Sequence, residues 1–578
     1  MDISTPPSPS TRPDSTLTPA APPTLPEIIA LTRHLLSSPS SLPTAASQPN
    51  PTEISNHGHD NREANAENKK EEEEEEDHLL QCGVPALHLL RHCPDAALQF
   101  GYEKLHAVPY REVKTRWRRY YTDAAVRKVL GILESVGEED WITQVVRTLD
   151  MALILTAAPG REELIELIFS ALEAVIAESE ENRLSHEEDD NALKANTEAV
   201  PLARPFKKRK LDPSHHRNTT NPKPNIPQTF PTALPAHALP TLQHPLPRIR
   251  SSSLSLSAFQ SRITDPATAS PFIITGAIDF WPAMSERPWN SPAYLLERTL
   301  GGRRLVPVEV GRTYTDEGWG QRVMSFGEFM EEFMFDGVEE EHHHPSHDAP
   351  QSDDGPGTAS TKRKRARKRA RARKQAAKKQ TGYLAQHDLF AQIPSFRSDL
   401  SIPDYCYVDL PSPSSPSCST TTNPPPRRNP EKLSTPLLNA WFGPRNTISP
   451  LHTDPYHNIL AQVVGRKYIR LYAPGEGGKM YPRGKDERGV DMGNTSLVDL
   501  DVAMGVWGEV SCWRGGRDKE GQSWEDIKAE YEHRFPLFRT AAYVECVLGP
   551  GECLYIPPGW WHYVRSLTPS FSVSFWFI

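Results

Sequence analysis

A histidine and an aspartate two positions apart are the residues of this chain best suited to hold a metal ion. They lie in the segment Ser449-Pro-Leu-His452-Thr-Asp454-Pro. In an extended strand, residues i and i+2 project from one face, so this imidazole and this carboxylate can meet at one point. A third ligand is expected from His562. It ends a segment, 549–562, whose sequence GPGECLYIPPGWWH predicts a glycine turn, a strand and a second turn.

Two histidines and one carboxylate form the facial triad that suits non-haem Fe(II) and leaves coordination positions open. A 2-oxo acid and dioxygen can occupy those positions, whereas four strong protein ligands, as in structural zinc sites, would block them. An isolated pair such as His452 and Asp454 also arises by chance. The presence of the distal segment before His562, together with predicted strands around both parts, favours a metal site.

The segments around these residues predict short β-strands. Apolar and β-branched residues form runs bounded by turn residues at 271–276, 305–310, 439–442, 459–464, 468–472, 543–548, 552–556 and 571–577. Residues 324–335 predict one amphipathic helix. Many short strands without regularly interleaved helices indicate a mainly β sandwich or barrel, and we expect a double-stranded β-helix, the cupin-like jelly roll.

Composition predicts four regions. With 56 prolines and only 37% hydrophobic residues, the chain does not resemble a uniformly packed protein. Residues 1–77 are expected to be disordered apart from a short helix near 25–36, and 183–247 to be a disordered, proline-rich linker. Residues 248–578 are the predicted catalytic domain, with disordered insertions at about 339–379 and 411–430.

Residues 78–182 predict a helical block. Apolar residues recur there at three- and four-residue spacing, and Pro159-Gly160 predicts a helix break, so we expect four or five helices. A packing or partner-docking role explains this block better than a catalytic one.

Charge and cysteine content bear on location. Net charge is -9, but this average conceals basic clusters at 207–210 and 362–379, which favour nuclear import, with the cytoplasm as a second location. The basic loop 362–379 could also make non-specific contacts with nucleic acid, although it has no interleaved aromatic residues for stacking.

His342–His344 lie in an acidic segment and make a poor metal site. Seven scattered cysteines indicate a reducing compartment, and neither a signal peptide nor a membrane span is expected.

Residues 441–578 resemble the catalytic half of the JmjC (jumonji-C) family of Fe(II)- and 2-oxoglutarate-dependent oxygenases. The resemblance covers roughly 265–578 apart from the insertions. It is carried by the metal segments and by the motifs PVEVG from Pro307, TDE from Thr315, GYLAQH from Gly382, IPDY from Ile402, NAWFGP from Asn439, GRKYIRLY from Gly465 and the C-terminal SFSVSFW.

The resemblance implies a role for several residues. Iron would be held by the triad, and Lys467 would bind the far carboxylate of 2-oxoglutarate, because a buried dicarboxylate requires a cation. Tyr383 and Asn458 match residues that hydrogen-bond the cosubstrate, and Ser572 could line the same pocket. The alternative for each is an ordinary polar residue lining the barrel.

The resemblance also implies a substrate side. The counterpart of Glu309 contacts an arginine guanidinium, and Trp319 and Trp441 match tryptophans that help to form the pocket, although core packing would also explain them. The first hypothesis is therefore hydroxylation of an arginine in a protein or peptide. The second is demethylation of methyl-lysine on histone tails, and the third is a non-catalytic scaffold. A monomer is expected, because no helix follows the last strand.

Overall fold

The computed structural model describes residues 22–37, 79–135, 140–196, 226–234, 239–265, 268–316, 318–335, 380–410, 432–485, 489–509 and 523–578. The chain divides into two compact units, Met1–Leu211 and Asp212–Ile578. The predicted insertions 339–379 and 411–430, both basic clusters and His342–His344 lie outside the described residues. Among the helices of the described ranges, none is long and apolar enough to cross a membrane.

The first unit is helical. Its α-helices are α1 Leu25–Ser37, α2 Val84–His92, α3 Pro94–His106, α4 Thr115–Glu134, α5 Trp141–Thr156 and α6 Glu162–Asn196. The expected break at Pro159-Gly160 separates α5 from α6, and Gly160 adopts a φ of 65° there. Helix α1 packs against α4: Ile28 is fully buried, and Arg127 Nη2 donates to the Leu36 carbonyl at 3.0 Å.

The second unit contains thirteen described strands and several short helices. The strands are β1 Arg248–Arg250, β2 Phe272–Thr275, β3 Leu305–Val310, β4 Gly320–Ser325, β5 Gly382–His387, β6 Leu437–Gly443, β7 Ile448–His452, β8 His457–Val464, β9 Lys467–Tyr472, β10 Tyr543–Leu548, β11 Glu552–Ile556, β12 Trp561–Ser566 and β13 Ser570–Phe577. The α-helices are α7 Leu256–Ile263, α8 Pro292–Glu297, α9 Phe326–Phe329, α10 Leu389–Gln392, α11 Pro394–Arg397, α12 Leu500–Val506 and α13 Trp524–Arg534.

Each predicted strand is present, but the predicted helix 324–335 starts two residues late. Met324 and Ser325 end strand β4, and the helix begins at Phe326 because Ser325 and Glu328 form a reciprocal capping box. The helix then continues as a π-helix over Met330–Met334.

The strands form two sheets. One has nine strands in the order β1-β2-β11-β8-β13-β6-β5-β3-β4, and the other has four in the order β10-β9-β12-β7. All pairings within them are antiparallel except that of β1 with β2.

The two sheets pack face to face. Leu460 and Leu554 of the nine-stranded sheet belong to one buried cluster with Ile469, Leu471 and Val564 of the four-stranded sheet. Their sequence neighbours belong to other clusters on the outer faces, as the two-residue period of a strand requires. The second unit is therefore a double-stranded β-helix, as predicted.

Part of the region expected to be a linker packs on this unit. Phe230 is only 3% exposed and lies in the core outside the nine-stranded sheet. The Leu246 N–H donates to the Glu545 carbonyl at 3.1 Å, and the Glu545 N–H donates to the His244 carbonyl at 2.9 Å. The compact unit thus includes these described residues before β1.

Candidate metal centre and cosubstrate pocket

The three predicted metal ligands come together. His452 Nε2 lies 3.9 Å from Asp454 Oδ1, and His562 Nε2 lies 3.5 Å from Asp454 Oδ2. One candidate ligand atom from each of the three residues lies within 4.8 Å of the others. Within the described residues this is the one group of three or more His, Cys, Asp or Glu side chains with such spacing, and it could hold a metal ion.

The neighbouring backbone orients both imidazoles. His452 Nδ1 lies 2.7 Å from the Pro450 carbonyl, and His562 Nδ1 lies 3.0 Å from the Trp560 carbonyl. A carbonyl can only accept, so each ring carries its proton on Nδ1 and leaves the Nε2 lone pair available for a metal.

Burial and charge favour the ligand forms that bind metal. Burial and, second, the neighbouring His562 together lower the pKa of His452 to about 4. Burial acts to raise the pKa of Asp454, but a hydrogen bond with His562 and the charges of both imidazoles keep it below its usual value. At neutral pH His452 is therefore neutral and Asp454 is charged, as metal coordination requires.

Strand pairing explains why ligands distant in sequence meet. His452 ends β7 and lies directly opposite His562 in β12. The turn before β12 is tied to the first motif, because the Gly559 N–H donates to the Asp454 carbonyl at 2.9 Å. Gly559 has a φ of 75°, which favours glycine at this turn.

A buried lysine lies between the two sheets. Lys467 is 1% exposed, and its Nζ donates to the Tyr383 hydroxyl at 3.3 Å. It has no ion-pair partner among the described residues, and burial lowers its pKa to about 7. Asn458 is 5% exposed, and its Oδ1 is buried without a hydrogen-bond partner. These groups can bind a carboxylate-bearing molecule that also brings a donor to Asn458.

Two other predicted residues have partners within the protein. The Ser572 hydroxyl is fully buried and donates to Gln462 Oε1 at 2.7 Å. The Trp441 indole N–H donates to Ser574 Oγ at 2.9 Å, and its ring lies 6.0 Å from that of Tyr383 between centroids. Trp441 therefore lines the same inter-sheet space, and Ser572, directly opposite Trp441 in the β13–β6 pairing, lies on the same face of the sheet.

Glu309 and Trp319 form a separate polar group on the β3 side. Burial raises the pKa of Glu309, and the nearby Trp319 indole opposes this effect. The Trp319 N–H is buried but makes no hydrogen bond of good geometry. Glu309 lies opposite Tyr383 in the β3–β5 pairing, so its strand borders the strand that carries Tyr383.

Sequence reasoning missed Tyr314, which joins these two regions. Burial raises its pKa to about 12, and the charges of Asp454 and Glu309 act in the same direction. The hydroxyl is 3.5 Å from Thr495 Oγ1, and Thr495 forms a β-bridge with His452. The one signal was its place directly before the motif that begins at Thr315.

Comparison with known proteins identifies the family. A family profile described as a cupin-like domain matches residues 257–578. The chain is 31% identical over 490 residues to a protein named lysine-specific demethylase 8 from Danio rerio, covering 84% of this chain and 88% of that protein. It is 32% identical over 485 residues to lysine-specific demethylase JMJ30 from Arabidopsis thaliana, with 83% and 85% covered. Jumonji C domain-containing protein 5 from Drosophila melanogaster is 31% identical over 351 residues, with 60% and 64% covered.

These relatives confirm the resemblance found in the sequence motifs. The same motifs also resemble jumonji domain-containing protein 5 in particular, and the Drosophila melanogaster relative bears that name. The fold, with two mostly antiparallel sheets around a His-Asp-His group, agrees with it. The chain therefore belongs to the JmjC family of cupin-like, 2-oxoglutarate-dependent iron oxygenases.

Proposed function

We propose that this oxygenase hydroxylates an arginine side chain of a protein substrate. The observation that carries the proposal is Glu309, a largely buried carboxylate with no ion-pair partner among the described residues. A guanidinium would neutralise it through two parallel hydrogen bonds, and the indole of Trp319 and the ring of Tyr314 lie close to this carboxylate.

The proposal assigns Fe(II) to His452, Asp454 and His562, and the far carboxylate of 2-oxoglutarate to Lys467. Tyr383 and Asn458 would hydrogen-bond the cosubstrate, because the Tyr383 hydroxyl already meets Lys467 and the Asn458 oxygen lacks a partner. Ser572, whose hydroxyl donates to Gln462, would line the same pocket.

When bound, iron, 2-oxoglutarate and dioxygen supply the oxidation of a C–H bond, with succinate and CO2 as coproducts. The residues of this chain bind and orient both organic molecules. Trp441, whose indole lies beside Tyr383, would narrow the space between the cosubstrate and the substrate arginine.

Demethylation of methyl-lysine on histone tails is the second candidate. Its support is the name lysine-specific demethylase borne by two relatives that align over most of their length. Both reactions begin with oxidation of a C–H bond. Hydroxylation of an N-methyl group gives a hemiaminal that collapses, so the methyl group is lost. Hydroxylation of a side-chain carbon gives a stable alcohol. The complete triad and Lys467 argue against the third candidate, a non-catalytic scaffold.

The deciding experiment is mass spectrometry of peptides incubated with the full-length protein, Fe(II), ascorbate and 2-oxoglutarate. The panel contains arginine peptides and mono-, di- and trimethyl-lysine peptides of histone tails. Each arginine peptide has a control with lysine in place of arginine, and each methyl-lysine peptide has an unmethylated control. A gain of one oxygen on arginine, absent with His452→Ala, would support the proposal. Loss of a methyl group without arginine oxidation would replace it with the demethylase. Metal-loaded, folded protein that forms no succinate would favour the scaffold.

A nuclear location is part of the proposal, because a chromatin-associated substrate would be met there and two basic clusters at 207–210 and 362–379 favour import. Monomeric state and contact of 362–379 with nucleic acid stay predictions.

A further inference from the structure

We propose that Arg312 is a positioning residue for the peptide substrate. Its ion pair with Asp499, here called the latch, holds the substrate-side loop, described at residues 311–316 and 318–319, against the start of helix α12. The inference rests on the proposed function in one respect: the substrate side of the pocket is taken to be the side of Glu309.

The latch has the geometry of a strong ion pair. Arg312 Nη2 lies 2.7 Å from both carboxylate oxygens of Asp499, and Arg312 Nη1 lies 3.2 Å from Asp316. Asp501 adds a longer contact of 3.6 Å to Arg312 Nη2. The side chains of Arg312 and Asp499 are only 24% and 25% exposed, so solvent screens this pair less than a fully exposed one.

The Asp499 end of the latch is fixed to the rest of the domain. Asp499 caps helix α12, because its Oδ1 accepts from the Val502 N–H at 3.3 Å. Next to it, Asp501 accepts a hydrogen bond from the Tyr563 hydroxyl at 2.9 Å and pairs with Arg565. Tyr563 and Arg565 lie on β12, the strand that carries His562, so the latch ends on the framework of the metal centre.

The Arg312 end carries the residues nearest to the expected substrate. Tyr314, two positions later, contacts Thr495 and lies near both Glu309 and Asp454. Trp319 ends the loop beside Glu309. A change in the loop position would therefore move two aromatic side chains relative to Glu309 without moving the metal ligands.

The other contacts of the loop are mainly polar: the Gly311 N–H donates to the Thr381 carbonyl at 3.0 Å, and Thr313 is buried and hydrogen-bonds Thr315 at 2.8 Å. None of its described residues belongs to the buried hydrophobic core, whereas Val310 directly before it does. Polar contacts must therefore position it, and loops of this kind open at low free-energy cost when such contacts are removed. The latch joins positions 187 residues apart in sequence and ties the loop to the N-cap of helix α12.

Three variants of the full-length protein test the latch: Arg312→Gln, Asp499→Asn and the double variant. Asparagine retains the helix cap of Asp499, so loss of the cap does not confuse the result. Arg322→Gln is the matched control, because Arg322 forms an ion pair with Glu332 whose side chains are 50% and 46% exposed. The wild-type enzyme is first screened on the arginine and methyl-lysine panel, and kinetics use the peptide with the highest kcat/KM.

We expect each single latch variant to raise peptide KM by about tenfold, while the KM for 2-oxoglutarate stays within about twofold. The double variant should be no worse than Arg312→Gln, because that change already removes the ion pair with Asp499. Arg312→Lys should give an intermediate KM, since lysine retains the charge but cannot contact Asp499 and Asp316 through two separate nitrogens. Amide hydrogen exchange of 311–319 should accelerate in the latch variants and not in Arg322→Gln.

Unchanged exchange of 311–319 in Arg312→Gln would overturn the latch, and so would faster exchange with unchanged peptide KM. Equal increases in the KM of peptide and of 2-oxoglutarate would also overturn it, because they would indicate general damage to the fold. A wild-type enzyme that oxidises only methyl-lysine would refute the arginine proposal and leave the latch to be judged on that peptide. If wild type oxidises no peptide, hydrogen exchange alone decides the latch.

Discussion

Lys467 and Tyr383 come from different sheets and meet between them, with Lys467 Nζ 3.3 Å from the Tyr383 hydroxyl. The lysine is 1% exposed and has no ion-pair partner among the described residues. An unpaired buried cation is costly, so its presence indicates an anionic ligand that completes the pocket. This relationship leads to two predictions.

Binding of 2-oxoglutarate should take up a proton above pH 7. Burial lowers the pKa of Lys467 to about 7, so most of the free protein carries a neutral lysine at pH 8.5. The ligand carboxylate favours the charged form, so affinity should fall about tenfold per pH unit above 7. Below pH 7 it should be nearly constant until His452, whose pKa is about 4, is protonated. Calorimetry with Mn(II)-loaded protein in buffers of different ionisation enthalpy measures the proton uptake. Uptake near zero at pH 8.5 would contradict the assignment, and Lys467→Arg should abolish the dependence.

Replacing the same lysine by methionine should stabilise the protein while abolishing cosubstrate binding. The folded pKa lies near 7 and the unfolded one near 10.4, so the folded state binds fewer protons between these values. The destabilisation is therefore complete below pH 7 and diminishes as pH rises towards 10. We expect Lys467→Met to raise the free energy of unfolding by at least about 1 kcal/mol at pH 6.5, and by less at pH 9.5. Thermal unfolding at both pH values measures this, and a lower Tm at pH 6.5 would refute it.

Loss of any one proposed metal ligand should abolish metal binding and leave the protein folded. Loss of a residue that only hydrogen-bonds a metal ligand typically weakens metal binding by about 10–100-fold. His452→Ala removes a proposed ligand itself and should weaken Mn(II) binding by more than this. Isothermal titration with Mn(II) and metal content after dialysis are the measurements. His457→Ala is a suitable comparison, because His457 hydrogen-bonds Tyr555 at 2.8 Å and is not among the three clustered ligands. Equal loss of metal in both variants would argue against the assigned triad.

Glu309→Gln should discriminate between the two candidate substrates. The amide retains the shape of the carboxylate but cannot pair with a guanidinium as an ion. Truncating one partner of a buried charge pair typically costs about 2–5 kcal/mol, so kcat/KM for an arginine peptide should fall by a factor of about 30 or more. Steady-state kinetics with succinate detection provide the values, with 2-oxoglutarate KM as the internal control. A loss below about threefold would remove Glu309 from the substrate site.

The outer face of the four-stranded sheet contains an ion pair that should matter for stability. Arg470 Nη2 lies 3.3 Å from Glu545, and their side chains are 4% and 2% exposed. Tyr468 also hydrogen-bonds Glu545. Arg470→Met would leave the buried Glu545 carboxylate without its cation and should cost about 3–5 kcal/mol in a urea titration. The double variant Arg470→Met/Glu545→Leu should recover most of this loss. Arg322→Met, at an exposed pair, should cost under about 1 kcal/mol. Similar losses in the two single variants would contradict the argument.

Local patterns in the sequence were sufficient to predict most strands and the clustering of His452, Asp454 and His562. The two-residue period of a strand determines which side chains share a face, so the sequence directly predicted that His452 and Asp454 project from the same side. Motifs similar to the family added Lys467 and Tyr383, which meet between the sheets, and Asn458, which is buried on β8. Helix 324–335 was misplaced by two residues, because a capping box at Ser325 decides where it starts.

By itself, then, the amino-acid sequence determined the strand pattern, the chemistry of the metal ligands and the family. Only the tertiary structure decided which distant residues meet: His562 lies opposite His452, Tyr314 reaches Thr495, and Arg312 pairs with Asp499 across 187 positions. The physical reason is that periodicity and propensity act over a few residues. Strand pairing and ion pairs join segments of any separation, and the whole fold selects them.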